Sequence, residues 1–135
     1  MISDPGERKR LECVLFVEDE EDIQRIVKMS LERFGGVCVH VLSDPQLALQ
    51  KAREVAPDLI LLDSVMPGLD GHTLFKRLHA DPDLARIPVV FLTAGATRDR
   101  VENLQALGAA GVLFKPFSVR ELPQKLFEIW NALKD

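Results

Sequence analysis

Five short apolar runs punctuate the chain: Cys13-Val14-Leu15-Phe16-Val17, Val37 to Leu42, Leu59 to Leu62, Val89 to Leu92, and Val112-Leu113-Phe114. Runs of this length, bounded by turn residues, predict strands buried on both faces, as in a parallel sheet. Between them, apolar side chains recur every three or four residues, the period of a helix with one face against a core. Ile23, Ile26, Val27, Leu31 and Phe34 mark the first helix, which Gly35-Gly36 ends. Ala48, Ala52 and Val55 mark the second, with Ser43 or Asp44 as its cap, Pro45 in its first turn and Pro57 at its end. The third runs from about Gly71 to His79 and carries Leu74, Phe75 and Leu78; a loop then leads from Asp81-Pro82-Asp83 to Pro88. Val101, Leu104 and Leu107 mark the fourth, stopped by Gly108. The last is capped by Ser118 and turns Leu122, Leu126, Ile129, Trp130 and Leu133 inward.

Strand and helix alternate five times with short connections. This predicts an α/β domain: a doubly wound, five-stranded parallel sheet with helices on both faces. Right-handed crossovers bring the carboxyl ends of all strands to one edge. The domain is assigned to residues 11–135, behind a polar, flexible head at 1–10 that contains Pro5 and Gly6. A chain of 135 residues has room for one such domain, whether it stands alone or is cut from a longer protein.

The third strand is the most informative. Leu59-Ile60-Leu61-Leu62 runs straight into Asp63, and a Pro/Gly/Asp turn follows. A buried strand cannot hold an ionised carboxylate in its interior, so Asp63 belongs at the carboxyl end, where open α/β sheets place their ligands. The first strand runs into Glu18 and Asp19, the fourth into Thr93 and the fifth into Lys115. Taken singly, each reads as a helix cap or a solvated strand end; five on one rim do not. Three carboxylates in one small site raise one another's pKa unless a cation intervenes, and an all-oxygen donor set suits magnesium. Magnesium, an ammonium and a hydroxyl around one carboxylate make a site for phosphoryl transfer. Asp63 would be the nucleophile and an acyl phosphate the product.

Four motifs then converge: Val17-Glu18-Asp19, Asp63-Ser64-Val65-Met66-Pro67-Gly68-Leu69-Asp70-Gly71, Thr93-Ala94 and Lys115-Pro116-Phe117. With these motifs in this order on these elements, the chain resembles the receiver (response regulator) domain of two-component signalling from about Leu11 to Leu133. The resemblance implies the flavodoxin-like strand order 2-1-3-4-5. It also implies a signalling phosphoacceptor rather than an enzyme acting on a separate substrate. Asp63 would accept a phosphoryl group from a phosphohistidine on a sensor histidine kinase or a histidine phosphotransfer protein. Asp19, Asp63 and the Val65 carbonyl would bind magnesium directly, with Glu18 acting through water. Thr93 and Lys115 would contact the phosphoryl oxygens, and Lys115–Pro116 would be a cis peptide. A downstream protein would dock on the face formed by residues 98–133, where Arg98-Asp99-Arg100 otherwise reads as a solvated helix start. Two features depart from the family. Val112 stands three before the lysine, where Tyr or Phe is usual, so the customary aromatic relay is missing. Val65 and Gly95 flank the site with side chains that cannot orient an attacking water.

Charge and composition narrow the alternatives. Acids outnumber bases 21 to 17, which disfavours general nucleic-acid binding. No apolar run approaches the roughly 18 residues of a membrane span, and the polar start carries no secretion signal, so the expected address is cytoplasmic. Cys13 and Cys38 fall in strands with a spacing that fits no zinc pattern, and read as reduced core residues. His40, His72 and His79 are dispersed, with no shared metal site expected, and Trp130 reads as packing rather than a cofactor platform. A magnesium-dependent phosphatase with an Asp nucleophile would need a second acid at Val65. A nucleotide- or flavin-binding protein would need a glycine-rich loop where Glu18 and Asp19 stand. A receiver-like scaffold that is never phosphorylated has the full acid, threonine and lysine set against it and Val112 in its favour.

Overall fold

The structure, a computed structural model, describes residues 9–63, 70–94 and 98–133, the side chains of Arg98 and Arg100 excepted. Expectations for the head at 1–8, for Val65 and Gly95, and for the Arg98 and Arg100 side chains lie outside the described residues. The strands are β1 (Cys13–Val17), β2 (Cys38–Leu42), β3 (Leu59–Asp63), β4 (Val89–Ala94) and β5 (Gly111–Lys115). All pair in parallel, in the order β2-β1-β3-β4-β5. The helices are α1 (Glu21–Met29), α2 (Ala48–Val55), α3 (Gly71–Ala80), α4 (Arg98–Ala106) and α5 (Leu122–Ala132).

Alternate residues of each buried strand serve opposite faces of the sheet, so there are two cores. Val14, Phe16, Leu61 and Leu92 pack with Val27 of α1 and with Leu122, Leu126 and Trp130 of α5. Leu15, Val17, Leu62 and Phe91 pack with Ala48 and Ala52 of α2, Leu74 and Phe75 of α3, and Leu104 of α4. The doubly wound sheet with helices on both faces is therefore present as the alternation predicts. Gly111 is the close-approach residue of the first core: a Cβ there would lie 2.7 Å from Ile129 Cδ1, so only glycine lets α5 settle against β5.

The first helix ends at Gly35-Gly36 as expected, with its last turn, Ser30–Phe34, π-helical and Gly36 at φ +67°. Two local expectations change. Asp44 caps a short 3-10 turn, Pro45–Leu47, ahead of α2, with its carboxylate accepting from the Gln46 amide at 2.9 Å. Ser118 is not a side-chain cap of the last helix. Its backbone carbonyl accepts from the Glu121 and Leu122 amides, forming a turn that delays α5 to Leu122, with Pro123 in its first turn. Glu21 and Asp22 occupy the first turn of α1, where negative charge favours the positive end of the helix dipole.

Lys9, assigned to the head, is fastened to the domain. Its carbonyl accepts from Trp130 Nε1 at 2.7 Å, and its ammonium lies 2.9 Å from Asp58 Oδ1. Asp58 Oδ2 in turn accepts from the Glu12 and Cys13 amides, each at 3.0 Å, tying the start of β1 to that of β3. Burial opposes the Asp58 charge, but Lys9 and the two amides outweigh it and hold the carboxyl below its usual range. A depressed folded pKa adds stability above the unfolded value, about 4, and that stability is lost as pH falls through the folded value. Asp58→Asn is expected to cost about 1–2 kcal/mol near neutral pH. Urea titrations should show the deficit shrinking as pH drops below about 4.

Candidate functional site

The carboxyl ends of β1, β3, β4 and β5 meet at one rim, and the strand period decides what each contributes. Glu18, Asp63 and Lys115 follow Phe16, Leu61 and Leu113 by two residues, so all three project on the α1/α5 side of the rim. Thr93 follows Phe91 by two and projects on the other side, one residue beyond Leu92, the register partner of Asp63. Asp19 lies just past β1 and is exposed.

Carboxylate oxygens of Glu18, Asp19 and Asp63 all lie within 4.8 Å of one another. Lys115 Nζ donates to Glu18 Oε1 at 3.2 Å and lies 3.5 Å from Asp63 Oδ2. Glu18 Oε2 accepts from the Asp19 amide at 3.1 Å. The Lys115–Pro116 peptide is cis. Each residue expected at the site therefore reaches the rim, except Val65, which lies outside the described residues.

Burial gives these groups their electrostatics. Glu18 is 0% exposed, Asp63 6% and Thr93 1%. Desolvation pushes the Glu18 carboxyl up to about 8, and the hydrogen bond and negative charge of Asp63 push the same way, against a smaller opposing pull from Lys115. Burial works against the Lys115 charge, yet Glu18 and Asp63 together hold it above the ordinary lysine value. Among the described residues one ammonium faces three carboxylates, an excess of negative charge that a further cation would offset, and an all-oxygen donor set suits magnesium.

Sequence reasoning missed one feature of the rim. Phe114, between Leu113 and Lys115, is paired in register with Thr93 and is 48% exposed. Val112 is half-buried against the α2/α3/α4 core, so an aromatic does border this side of the rim, two residues later than the usual position. The exposed large apolar residue beside a charged strand end was the available signal. The remaining histidines stay apart from the acids: His79 stacks on Phe75 at 5.5 Å, and His72 meets Phe91 edge-on at 6.0 Å.

Comparison with known proteins agrees with this geometry. A family model described as the response regulator receiver domain matches residues 14–127. Chemotaxis protein CheY-3 of Vibrio cholerae is 32% identical over 120 residues, which cover 89% of this chain and 92% of that protein. The probable transcriptional regulator ycf27 of Guillardia theta is 37% identical over 116 residues, 85% of this chain but 44% of that protein, so the chain spans less than half its length. Among solved structures, the chemotaxis response regulator CheY4 of Vibrio cholerae aligns with a TM-score of 0.80 at 28% identity, over 89% of this chain and 99% of that one. The Mn(2+)-bound form of response regulator Rcp1 aligns with a TM-score of 0.74 at 27% identity, over 92% and 97%. With its acids, threonine and lysine gathered at the carboxyl edge of a 2-1-3-4-5 sheet, the chain belongs to the response regulator receiver domains of two-component signalling.

Proposed function

We propose that Asp63 is the phosphoacceptor of this receiver domain, taking its phosphoryl group from a phosphohistidine on a sensor kinase or histidine phosphotransfer protein. The observation that carries this reading is Lys115 Nζ, 3.2 Å from Glu18 and 3.5 Å from Asp63, amid three carboxylates gathered within 4.8 Å. An Asp63 carboxylate oxygen attacks phosphorus, the O–P bond forms, the P–N bond breaks, and the imidazole leaves with the electron pair. Glu18, Asp19 and Asp63, with the Val65 carbonyl, would hold magnesium, which supplies neutralising charge to the phosphoryl oxygens. Lys115 is already held at Asp63 by two acids and turns its ammonium to the incoming group. Thr93 offers its hydroxyl from the opposite side of the same strand ends. The reaction is confined to this chain's own aspartate, so no separate substrate is turned over.

The readout we favour is a change in protein contacts on the face formed by residues 98–133. Phe114 gives that face an exposed aromatic in register with Thr93, a place where movement of Thr93 is felt without an aromatic at Val112. Binding of nucleic acid through this domain is disfavoured by its net charge of −4. Among the described residues no helix is long and apolar enough to cross a membrane. A cytoplasmic setting, where kinase and receiver meet, fits this chemistry.

The test is intact mass after incubation with magnesium and acetyl phosphate, which should show one added phosphate. No adduct at any magnesium concentration would overturn the reading in favour of a scaffold. The flanking positions set a second expectation. Val65 and Gly95 offer no side chain to orient a water, so the acyl phosphate decays without their help. Val65→Asn and Gly95→Glu should each change its lifetime by about two- to tenfold, less than the ~100-fold of a true general base. Identical decay in both variants would refute that account.

A further inference from the structure

The two cysteines and one histidine that looked unrelated in the sequence meet in space. Cys13 and Cys38 are the first residues of β1 and β2 and are direct partners across the parallel ladder. His40 stands two residues beyond Cys38, so the strand period places it on the same face of the sheet. One ligand atom from each, two sulfurs and an imidazole nitrogen, lie within 4.8 Å of one another. Cys38 Sγ and His40 Nε2 are 3.7 Å apart. Both cysteines are free thiols, and Cys38, expected in the core, is exposed because β2 is the edge of the sheet.

These dimensions match a thiophilic metal site. Zinc bonds of about 2.3 Å to sulfur and about 2.0 Å to nitrogen give tetrahedral edges of about 3.8 Å between sulfurs and about 3.5 Å between sulfur and nitrogen. The Cys38–His40 edge is already within a few tenths of an ångström of that, and the widest separation needs to close by about 1 Å, within reach of side-chain rotation at an exposed strand. Soft sulfur and imidazole donors select zinc over magnesium, the reverse of the all-oxygen rim. The two sites occupy opposite ends of β1, roughly 15 Å apart at the rise of a strand.

We propose that Cys13, Cys38 and His40 form a zinc site at the edge of the sheet, with two thiolates and one imidazole as protein ligands and a water in the fourth position. Binding releases one proton from each thiol, and the two thiolates neutralise the dication. The exposed Cys38 supplies the path from solvent. The site stands on its own geometry and is independent of whether Asp63 is phosphorylated.

The test uses the full chain, reduced under anaerobic conditions, with magnesium saturating the acid rim. Zinc is titrated against a chromogenic chelator, and cobalt(II) is added in parallel as a spectroscopic probe. One equivalent of zinc should bind, and cobalt should give a thiolate-to-metal charge-transfer band that oxygen ligands cannot produce. Cys38→Ser and His40→Ala change exposed or half-exposed positions and leave the core intact. Each should weaken zinc binding by about tenfold or more, while Glu18→Gln should leave it unchanged. Bound zinc should also protect Cys38 from alkylation. A cobalt spectrum without the charge-transfer band would overturn the proposal. So would equal zinc affinity in wild type and Cys38→Ser, or a Cys13–Cys38 disulfide forming in air equally fast with and without zinc.

Discussion

Asp63→Asn is expected to abolish phosphate incorporation from acetyl phosphate completely while leaving the domain folded. The amide has the shape of the carboxylate but no nucleophilic oxygen able to form an acyl phosphate. Folding should survive, because Asp63 contributes repulsion as well as attraction. Beside burial, it is the hydrogen bond and the charge of Asp63 that drive the Glu18 carboxyl up to about 8. With that charge removed, Glu18 ionises more readily and keeps Lys115, whose ammonium lies 3.2 Å away, as its ion-pair partner. The variant should therefore match wild type or exceed it by roughly 1 kcal/mol in urea denaturation. An added phosphate that persists in the folded variant at the wild-type level would place the modification elsewhere.

Lys115→Met removes the ammonium that pairs with two buried carboxyls, Glu18 and Asp63, and should have the largest effect on stability. Breaking a buried ion pair costs about 3–5 kcal/mol when the remaining charge cannot be relieved. Here Glu18 relieves it by holding a proton, so the cost depends on pH. In wild type the Glu18 pKa is raised above its unfolded value, so the stability linked to it is fully present below that unfolded value, about 4.3, and is lost as pH rises toward 8. Losing Lys115 drives this pKa further up, so the variant goes on losing stability at higher pH, where wild type has levelled off. Urea denaturation in chelator should show the two proteins nearly equal near pH 5 and separated by about 2–4 kcal/mol near pH 8.5. Magnesium should restore part of the difference by binding the folded state, about 2.7 kcal/mol at a hundredfold excess over its dissociation constant. A deficit independent of pH would mean that Glu18 does not take up the charge.

The sequence by itself determined the elements and their chemistry, because both are written in local patterns. Five short apolar runs bounded by turn residues mark the strands, though edge strands β2 and β5 are only partly buried, and Leu59 to Leu62 running into Asp63 puts a carboxylate at a strand end. Once the alternation implies a parallel sheet, handedness brings Glu18, Asp19, Asp63, Thr93 and Lys115 to one edge, so the membership of the rim was legible without coordinates. Helix starts were less legible. Whether Ser118 offers its hydroxyl or its carbonyl depends on how α5 packs over Gly35 and Gly111, contacts that lie far away in the chain.

Tertiary structure alone decided what strand register and burial control. Register separates Glu18, Asp63 and Lys115 from Thr93 on opposite sides of the rim, and sets Phe114 rather than Val112 beside the threonine. Burial makes Glu18 a proton holder rather than a plain acid, a property that its neighbours in sequence do not announce. The same holds at the other end of β1. Cys13 and Cys38 are separated by a helix and fit no linear metal pattern, yet pairing of the two strands makes them partners and brings His40 alongside. A local pattern specifies which way a residue faces along its own strand. Which residue it meets on the next strand is fixed only when the sheet has formed.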